Sequence, residues 1–273
     1  MTEIIKTLLF RLKKTTYFWI LLALALLLPV FGALLIDLSL KMGEALNEPI
    51  EQLMNQMLAQ YGGLSGLMSG FTSISSNPMI LSIIFASVFL SAEFKSGTVR
   101  NAIIAGKSRS QLYLSYYLVA LIGGFGIFVV YFLSAFVSMG LVFRFDATGN
   151  MVTELLYCFL LGLLAIVFVQ TLVCAFLFNT RSRVLTIVIP LIICILGPGI
   201  IATIVEIVSV KDIIANGYID VYSLQYVPFY NTTLLAATKF STANVLMIIA
   251  YYVVFSSAIF CASYFPFHKA DLK

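Results

Sequence analysis

Long apolar runs separated by short polar breaks set the pattern of this chain. The first run, YFWILLALALLLPVFGALLI, covers Tyr17 to Ile36 and follows a lead-in where Ile4, Leu8 and Leu12 recur every four residues while Lys6, Lys13 and Lys14 fall largely elsewhere. That recurrence predicts an amphipathic helix over residues 1–16 lying in a membrane interface, with Tyr17 and Trp19 beside it in the aromatic belt. The other runs predict spans at about 71–92, 112–142, 155–178, 184–205 and 242–267. Runs of this kind reach the roughly 20 residues that a helix needs to cross hydrocarbon, and they lack the alternating ten-residue segments of a membrane barrel. A cleaved signal peptide has a shorter apolar region followed by a small-residue site, so the first run reads as a retained span.

The breaks differ in kind. Asp37 to about Gly70 reads as a polar loop holding Asp37, Glu44, Glu48 and Glu51. The third run contains GGFG at Gly123 to Gly126, read as a flexible point, and the fifth carries Pro190 and a GPG at Gly197 to Gly199, which can kink a helix. The connection at about 206–241, with its aromatic-rich YSLQYVPFYN, has no spanning run yet is too apolar for a solvated loop. It predicts short helices packed at the outer membrane surface or partly re-entrant.

Composition and charge sharpen this picture. Hydrophobic residues make up 61% of the 273 and charged ones only 10%, against about a quarter in soluble domains. Of the sixteen Lys and Arg, twelve fall in the lead-in, in the break after the second run, in the Arg181–Arg183 turn and in the tail; Lys41, Arg144, Lys211 and Lys239 fall on the alternate side. The positive-inside rule then places both termini in the cytoplasm. The expected fold is all-α: six transmembrane helices forming a single transmembrane domain over residues 1–273.

The spans hold no Asp, Glu, Lys or Arg near their centres, which argues against coupling to an ion through a charged relay. Gln170 reads as an interhelical hydrogen bond. Cys158, Cys174, Cys194 and Cys261 lie within apolar runs without metal-ligand spacing and read as small packing residues; the single His268 sits in the tail. No catalytic constellation and no metal site emerges. Gly106, Lys107 and Ser108 spell the end of a phosphate-binding loop, but Asn101 stands where its first glycine belongs, and no strand precedes it. The chain is therefore expected to bind no cofactor of its own.

Five charges, Glu93, Lys95, Arg100, Lys107 and Arg109, crowd into SAEFKSGTVRNAIIAGKSRSQ between the second and third runs. Ser96 is a candidate cap for a helix through about Ala105, Gly106 can end it in the left-handed conformation, and Ser108 with Gln111 forms a capping box for the third span. Val99 and Ile103 lie one turn apart while Arg100 and Lys107 point elsewhere. A basic loop obeying the positive-inside rule and doing no more is the plainer reading.

This stretch resembles the segment between the second and third spans of type-2 ATP-binding-cassette exporter permeases, with its pattern E-[FY]-x-x-G-T-[VL]-[KR]-N leading to S-R. Glu93, Phe94, Gly97, Thr98, Val99, Arg100 and Asn101 match it, and Ser108 with Arg109 resembles the continuation. The ending YFPFHKADLK, with Phe267, Lys269, Asp271 and Leu272, is similar to the family's aromatic-then-basic tail. The resemblance implies a permease subunit in a prokaryotic cytoplasmic membrane, paired with a second permease copy or relative. It also implies a separate ATPase subunit that binds ATP and Mg and presses on a coupling helix at about 97–105; the residues concerned are Glu93, Phe94, Gly97, Thr98, Val99, Arg100, Asn101 and Ile103. It makes the stretch's charges a solvated docking surface.

In such permeases the second and fifth spans line the pathway, so Ser76, Ser87, Ser91, Pro190, Gly197 and Gly199 become pathway candidates, for an amphipathic or hydrophobic cargo such as a drug, a peptide or a lipid-linked molecule. Against this, a serine in a span commonly bonds its own helix or a neighbour. The competing functions are a membrane scaffold or regulatory subunit that docks a soluble partner, and a nucleotide-independent channel.

Overall fold

The computed structural model describes residues 2–45, 49–61, 63–72, 75–143, 145, 151–180, 182–197, 200 and 242–269, and among them every regular element is helical. In chain order these are α1 (Thr2–Lys14), α2 (Thr16–Ala45), α3 (Ile50–Tyr61), α4 (Leu64–Ser69), α5 (Asn77–Lys95), α6 (Thr98–Ile104), α7 (Arg109–Phe143), α8 (Met151–Thr180), α9 (Arg183–Gly197) and α10 (Thr242–Lys269). Five described helices, α2, α5, α7, α8 and α10, are long and apolar enough to cross a membrane. The predicted fifth run is described as the shorter apolar helix α9 and Ile200; Gly199, residues 201–205 and the predicted outer segment 206–241 lie outside the described residues.

Burial ranks the helices. In the most apolar windows of α5 and α8, 67% and 72% of residues are buried, against 22% in α2 and α10. The bundle therefore centres on α5, α7 and α8, with α2 laid against α7 and α10 against α8. The outer helices leave Leu24, Leu27, Phe31, Leu34, Leu246, Val253 and Val254 on the outside. In a membrane those side chains meet lipid as apolar as themselves, so helix association rests on close packing instead of hydrophobic transfer.

Small residues provide that packing, and they correct one expectation. The GGFG of α7 is no flexible point. Gly123 faces the ring of Phe85, where a Cβ would collide, and a Cβ on Gly124 would lie 2.7 Å from both Gln170 Nε2 and Ser82 Oγ. Both glycines are buried within an unbroken helix, so what they supply is interhelical distance. At the same level the Gln170 amide donates to the Ser82 carbonyl at 3.3 Å and to its hydroxyl, joining α8 to α5 as expected of an interhelical bond.

A second correction concerns the predicted loop 37–70. α2 continues to Ala45, and α3 and α4 follow it. In α3, Met54, Met57 and Leu58 fall on one stripe and pack against the core while polar positions between them stay outside. A helix can be amphipathic and still look polar in composition. The second span also starts later than predicted: a 3-10 turn covers Gly70–Thr72, and α5 begins at Asn77 with Pro78 in its first turn, where a missing N–H costs nothing. Cys158, Cys174 and Cys194 are buried as expected of packing residues, whereas Cys261 is exposed on α10.

Candidate functional site at the basic end of the bundle

The segment between α5 and α7 is built from three successive caps. α5 ends at Lys95, the Ser96 N–H bonding Ala92 O at 3.0 Å and the Gly97 N–H bonding Phe94 O at 3.2 Å. Gly97 then takes a left-handed conformation with φ 69° and serves as the N-cap of α6, its carbonyl accepting from Asn101 N–H at 2.9 Å. α6 closes with Gly106 at φ 83°, the Gly106 N–H reaching Ile103 O at 3.0 Å and the Lys107 N–H reaching Ala102 O at 3.1 Å. That pair of bonds is a Schellman motif. Ser108 Oγ accepts from Gln111 N–H at 3.3 Å to begin α7, the half of the predicted capping box that involves the serine side chain.

The expected role of Ser96 as cap of α6 is not observed. Gly97 holds that position without a side-chain cap, and Ser96 Oγ instead turns back to donate to Glu93 O at 3.1 Å while sharing a 2.7 Å hydrogen bond with Thr98 Oγ1. The left-handed turn at Gly97 reverses the chain between the two residues, so the serine hydroxyl meets the end of α5 rather than the start of α6. The boundaries of α6 otherwise agree with the predicted helix within its caps.

Nor do the candidate residues form one solvated surface. Glu93 is only 6% exposed and accepts from Arg11 Nη1 at 2.7 Å. Phe94 is half-buried, its ring 5.2 Å from Phe178 and 6.5 Å from Tyr116. Val99 is buried, and Ala102 and Ile103 pack against the core. The exposed face of α6 consists of Arg100, Asn101 and Ile104, the last 75% exposed. Ile104 was not among the sequence candidates, although it stands four residues from Arg100 and so shares its stripe.

Sequence reasoning also missed α1 as part of the site. The four-residue recurrence marks the stripe, but where an interfacial helix was expected to turn it to the membrane, Leu8 and Leu12 are buried against the bundle and α1 lies along α7. From there Arg11 reaches Glu93 before α6, and Glu3 lies 3.6 Å from Lys107 after it. Glu3, Thr7 and Arg11 repeat every four residues, a second stripe beside the leucines. This helix therefore ties both ends of the α5–α6–α7 connection together.

Behind Phe94 an aromatic cluster joins four helices. Phe178 of α8 lies 4.5 Å from Tyr113 of α7 and 4.7 Å from Phe267 of α10, centroid to centroid. Tyr113 shares a hydrogen bond with Ser263 at 2.5 Å, and Ser110 shares one with Tyr264 at 2.6 Å. The aromatic residue of the tail motif, Phe267, is thus packed in contact with the same cluster as the aromatic residue of the loop motif.

The pathway candidates separate. Ser76 precedes α5 and donates to Phe71 O at 3.0 Å; Ser91 donates to Val88 O of its own helix at 3.1 Å; Ser87, fully buried, donates to Thr186 O at 3.0 Å and binds α5 to α9. Pro190 is buried inside α9, and Gly197 ends it in open space. Among the described residues no three His, Cys, Asp or Glu come together as metal ligands.

Membrane-length helices gathered around a tightly packed centre, with a short helix bracketed by left-handed glycines at one end, define a multi-pass membrane protein. Residues 4–197 match the family described as ABC-2 family transporter protein, and the chain belongs to that family. Membership makes it a membrane component of a transporter and implies association with an ATPase subunit. No curated protein and no solved structure matches the chain.

Proposed function

We propose that the chain is the permease subunit of an ABC exporter, carrying an amphipathic or hydrophobic cargo across a prokaryotic cytoplasmic membrane as part of a permease pair. A separate ATPase subunit binds ATP and Mg and supplies the energy. The single transmembrane domain has six spans with both termini in the cytoplasm, so that α1 and α6 face the ATPase.

The observation that carries this reading is the outward face of α6. Arg100, Asn101 and Ile104 stand on a helix of seven residues whose two ends are closed by capped left-handed turns and tied by α1. An exposed apolar residue flanked by polar ones, on an element with little freedom to bend, is suited to receiving a load from a docked protein. In this role α6 is the coupling helix. Gly97, Thr98, Glu93, Phe94, Val99 and Ile103 position it, and Arg100, Asn101 and Ile104 make the contact.

The test is reconstitution with the ATPase in proteoliposomes. Ile104→Asp, at an exposed position, should leave the thermal transition of the permease unchanged and weaken ATPase docking roughly tenfold or more, as expected at an interface hot spot. Docking and turnover that persist unchanged in Ile104→Asp and Arg100→Glu would overturn the reading. Cargo flux that needs no nucleotide would replace it with a channel, and an ATPase that docks without any cargo moving would replace it with a scaffold.

A further inference from the structure

Where the basic ends of α5 and α9 meet, a cavity of about 540 Å³ is lined by Ser91, Ala92, Phe94, Lys95, Ser96 and Arg183. Its volume falls within the ~300–1,000 Å³ of small-ligand sites. One turn deeper on each helix, Ser87 of α5 donates to the Thr186 carbonyl of α9 at 3.0 Å. That bond fixes the separation of the two walls. The rim carries two cations, Lys95 and Arg183, both exposed. The cavity therefore grades from a positively charged mouth to a wall of Phe94 and Ala92 within about one helical turn, or ~6 Å.

Among the described residues its charge is uncompensated. The ion pairs among the described residues engage Arg11 with Glu93, Lys41 with Asp37, and Lys107 with Glu3; neither Lys95 nor Arg183 has a carboxylate within ion-pair distance there. Glu93 is two residues from Lys95, but its carboxylate is held by Arg11 and it does not line the cavity. The serine hydroxyls offer no rival donors, because Ser91 donates to Val88 O and Ser96 to Glu93 O. Recognition at the mouth falls to the ammonium of Lys95 and the guanidinium of Arg183, which suit a compact oxyanion with several acceptor oxygens.

We propose that this cavity binds the phosphate group of an anionic amphiphile, with the phosphate between Lys95 and Arg183 and the first apolar segment against Phe94 and Ala92. A basic pocket between helices at the end of a membrane-spanning bundle lies at the depth where lipid headgroups sit. Such a site requires no cargo movement to operate, so it stands or falls apart from the transport reading.

The experiment uses the full chain in dodecyl maltoside micelles, titrated with tail-labelled phosphatidylglycerol. Saturable binding is expected, weakened about fivefold by Lys95→Gln or Arg183→Gln and about thirtyfold by the two together, each cation contributing the usual surface increment. Lys6→Gln, which removes an exposed cation of α1, should leave the affinity unchanged, as should the charge-retaining Lys95→Arg and Arg183→Lys. Displacement by millimolar inorganic phosphate would assign the site to the anion alone; failure of phosphate to displace the lipid would assign it to headgroup and tail together. Equal binding of phosphatidylcholine, wild-type affinity in the double variant, or equal losses in the charge-retaining variants would overturn the proposal. So would a double variant that loses only its ATPase, since the cations would then serve an acidic protein segment.

Discussion

Removing the two partners of the Arg11–Glu93 ion pair one at a time should have unequal consequences, because the two side chains differ in access to water. The Glu93 side chain is 8% exposed and the Arg11 side chain 45%. Arg11→Gln strands a carboxylate that cannot rehydrate in place. Its cost should lie between the ≤1 kcal/mol of a surface pair and the 3–5 kcal/mol of breaking a fully buried one, or about 2–3 kcal/mol. Glu93→Gln leaves a guanidinium that is nearly half in solvent already and keeps an amide oxygen to accept from it, for about 0.5–1 kcal/mol. At roughly 2–4 °C per kcal/mol for a chain of this size, the transition should fall by about 4–12 °C in the first case and about 1–4 °C in the second. Cys158, Cys174 and Cys194 are fully buried and give the readout, reacting with a thiol-specific dye on unfolding; Cys261→Ser removes the exposed thiol from the background. The double variant Arg11→Gln/Glu93→Gln should be more stable than Arg11→Gln alone, since no charge is then stranded. Equal losses in the two single variants, or a larger loss from Glu93→Gln, would refute the argument that burial of the carboxylate governs the pair.

Three further outcomes are expected. Gly124→Ala places a methyl 2.7 Å from Gln170 Nε2 and Ser82 Oγ and should cost about 1–3 kcal/mol in the same dye assay, whereas Gly32→Ala, which meets nothing within 4 Å, should be neutral or slightly stabilising. Gly97→Ala and Gly106→Ala should each cost about 1–2 kcal/mol because both backbones are left-handed, and should speed tryptic cleavage after Arg100 as α6 loosens; cleavage at the wild-type rate would contradict the assigned geometry. Phe178→Ala removes the ring that touches Phe94, Tyr113, Tyr116 and Phe267 and should cost about 3 kcal/mol, measured as a lower dye-detected transition.

Lipid imposes an almost uniform demand on a spanning segment, so α2, α7, α8 and α10 are visible in the sequence as apolar runs whatever their neighbours. The same demand conceals their packing. Nothing in an apolar run distinguishes Gly123 as a seat for Phe85 from a glycine that bends, and the structure separates the two only by placing a ring where a Cβ would go. α3 was legible in principle. Leu53, Met54, Met57 and Leu58 have helical spacing, but intervening Glu, Gln and Asn lower the hydrophobicity enough for composition to read as loop. The Arg11–Glu93 contact was not legible, since 82 residues separate the partners and no local pattern encodes a tertiary ion pair.

The loop motif, read as a surface, places its residues on different faces, and the division has a mechanical consequence. Glu93 and Phe94 point into the bundle toward Arg11 and Phe178, Val99 and Ile103 seat α6 from beneath, and Gly97 and Gly106 set its two bends. A hinge requires backbone groups that can exchange partners cheaply. Here the N–H groups on both sides of each bend are already bonded: Ser96 to Ala92, Asn101 to Gly97, Gly106 to Ile103 and Lys107 to Ala102. Bending at either glycine breaks at least one of these bonds with no replacement at hand, so the bends are corners rather than hinges. A force applied at Ile104 is then resisted through Val99 and Ile103 and delivered to the ends of α5 and α7. From Phe94 it meets Phe178, and through that ring Tyr113 and Phe267. The stiffness of the connection, rather than its charge, is the property that these residue types at these spacings secure.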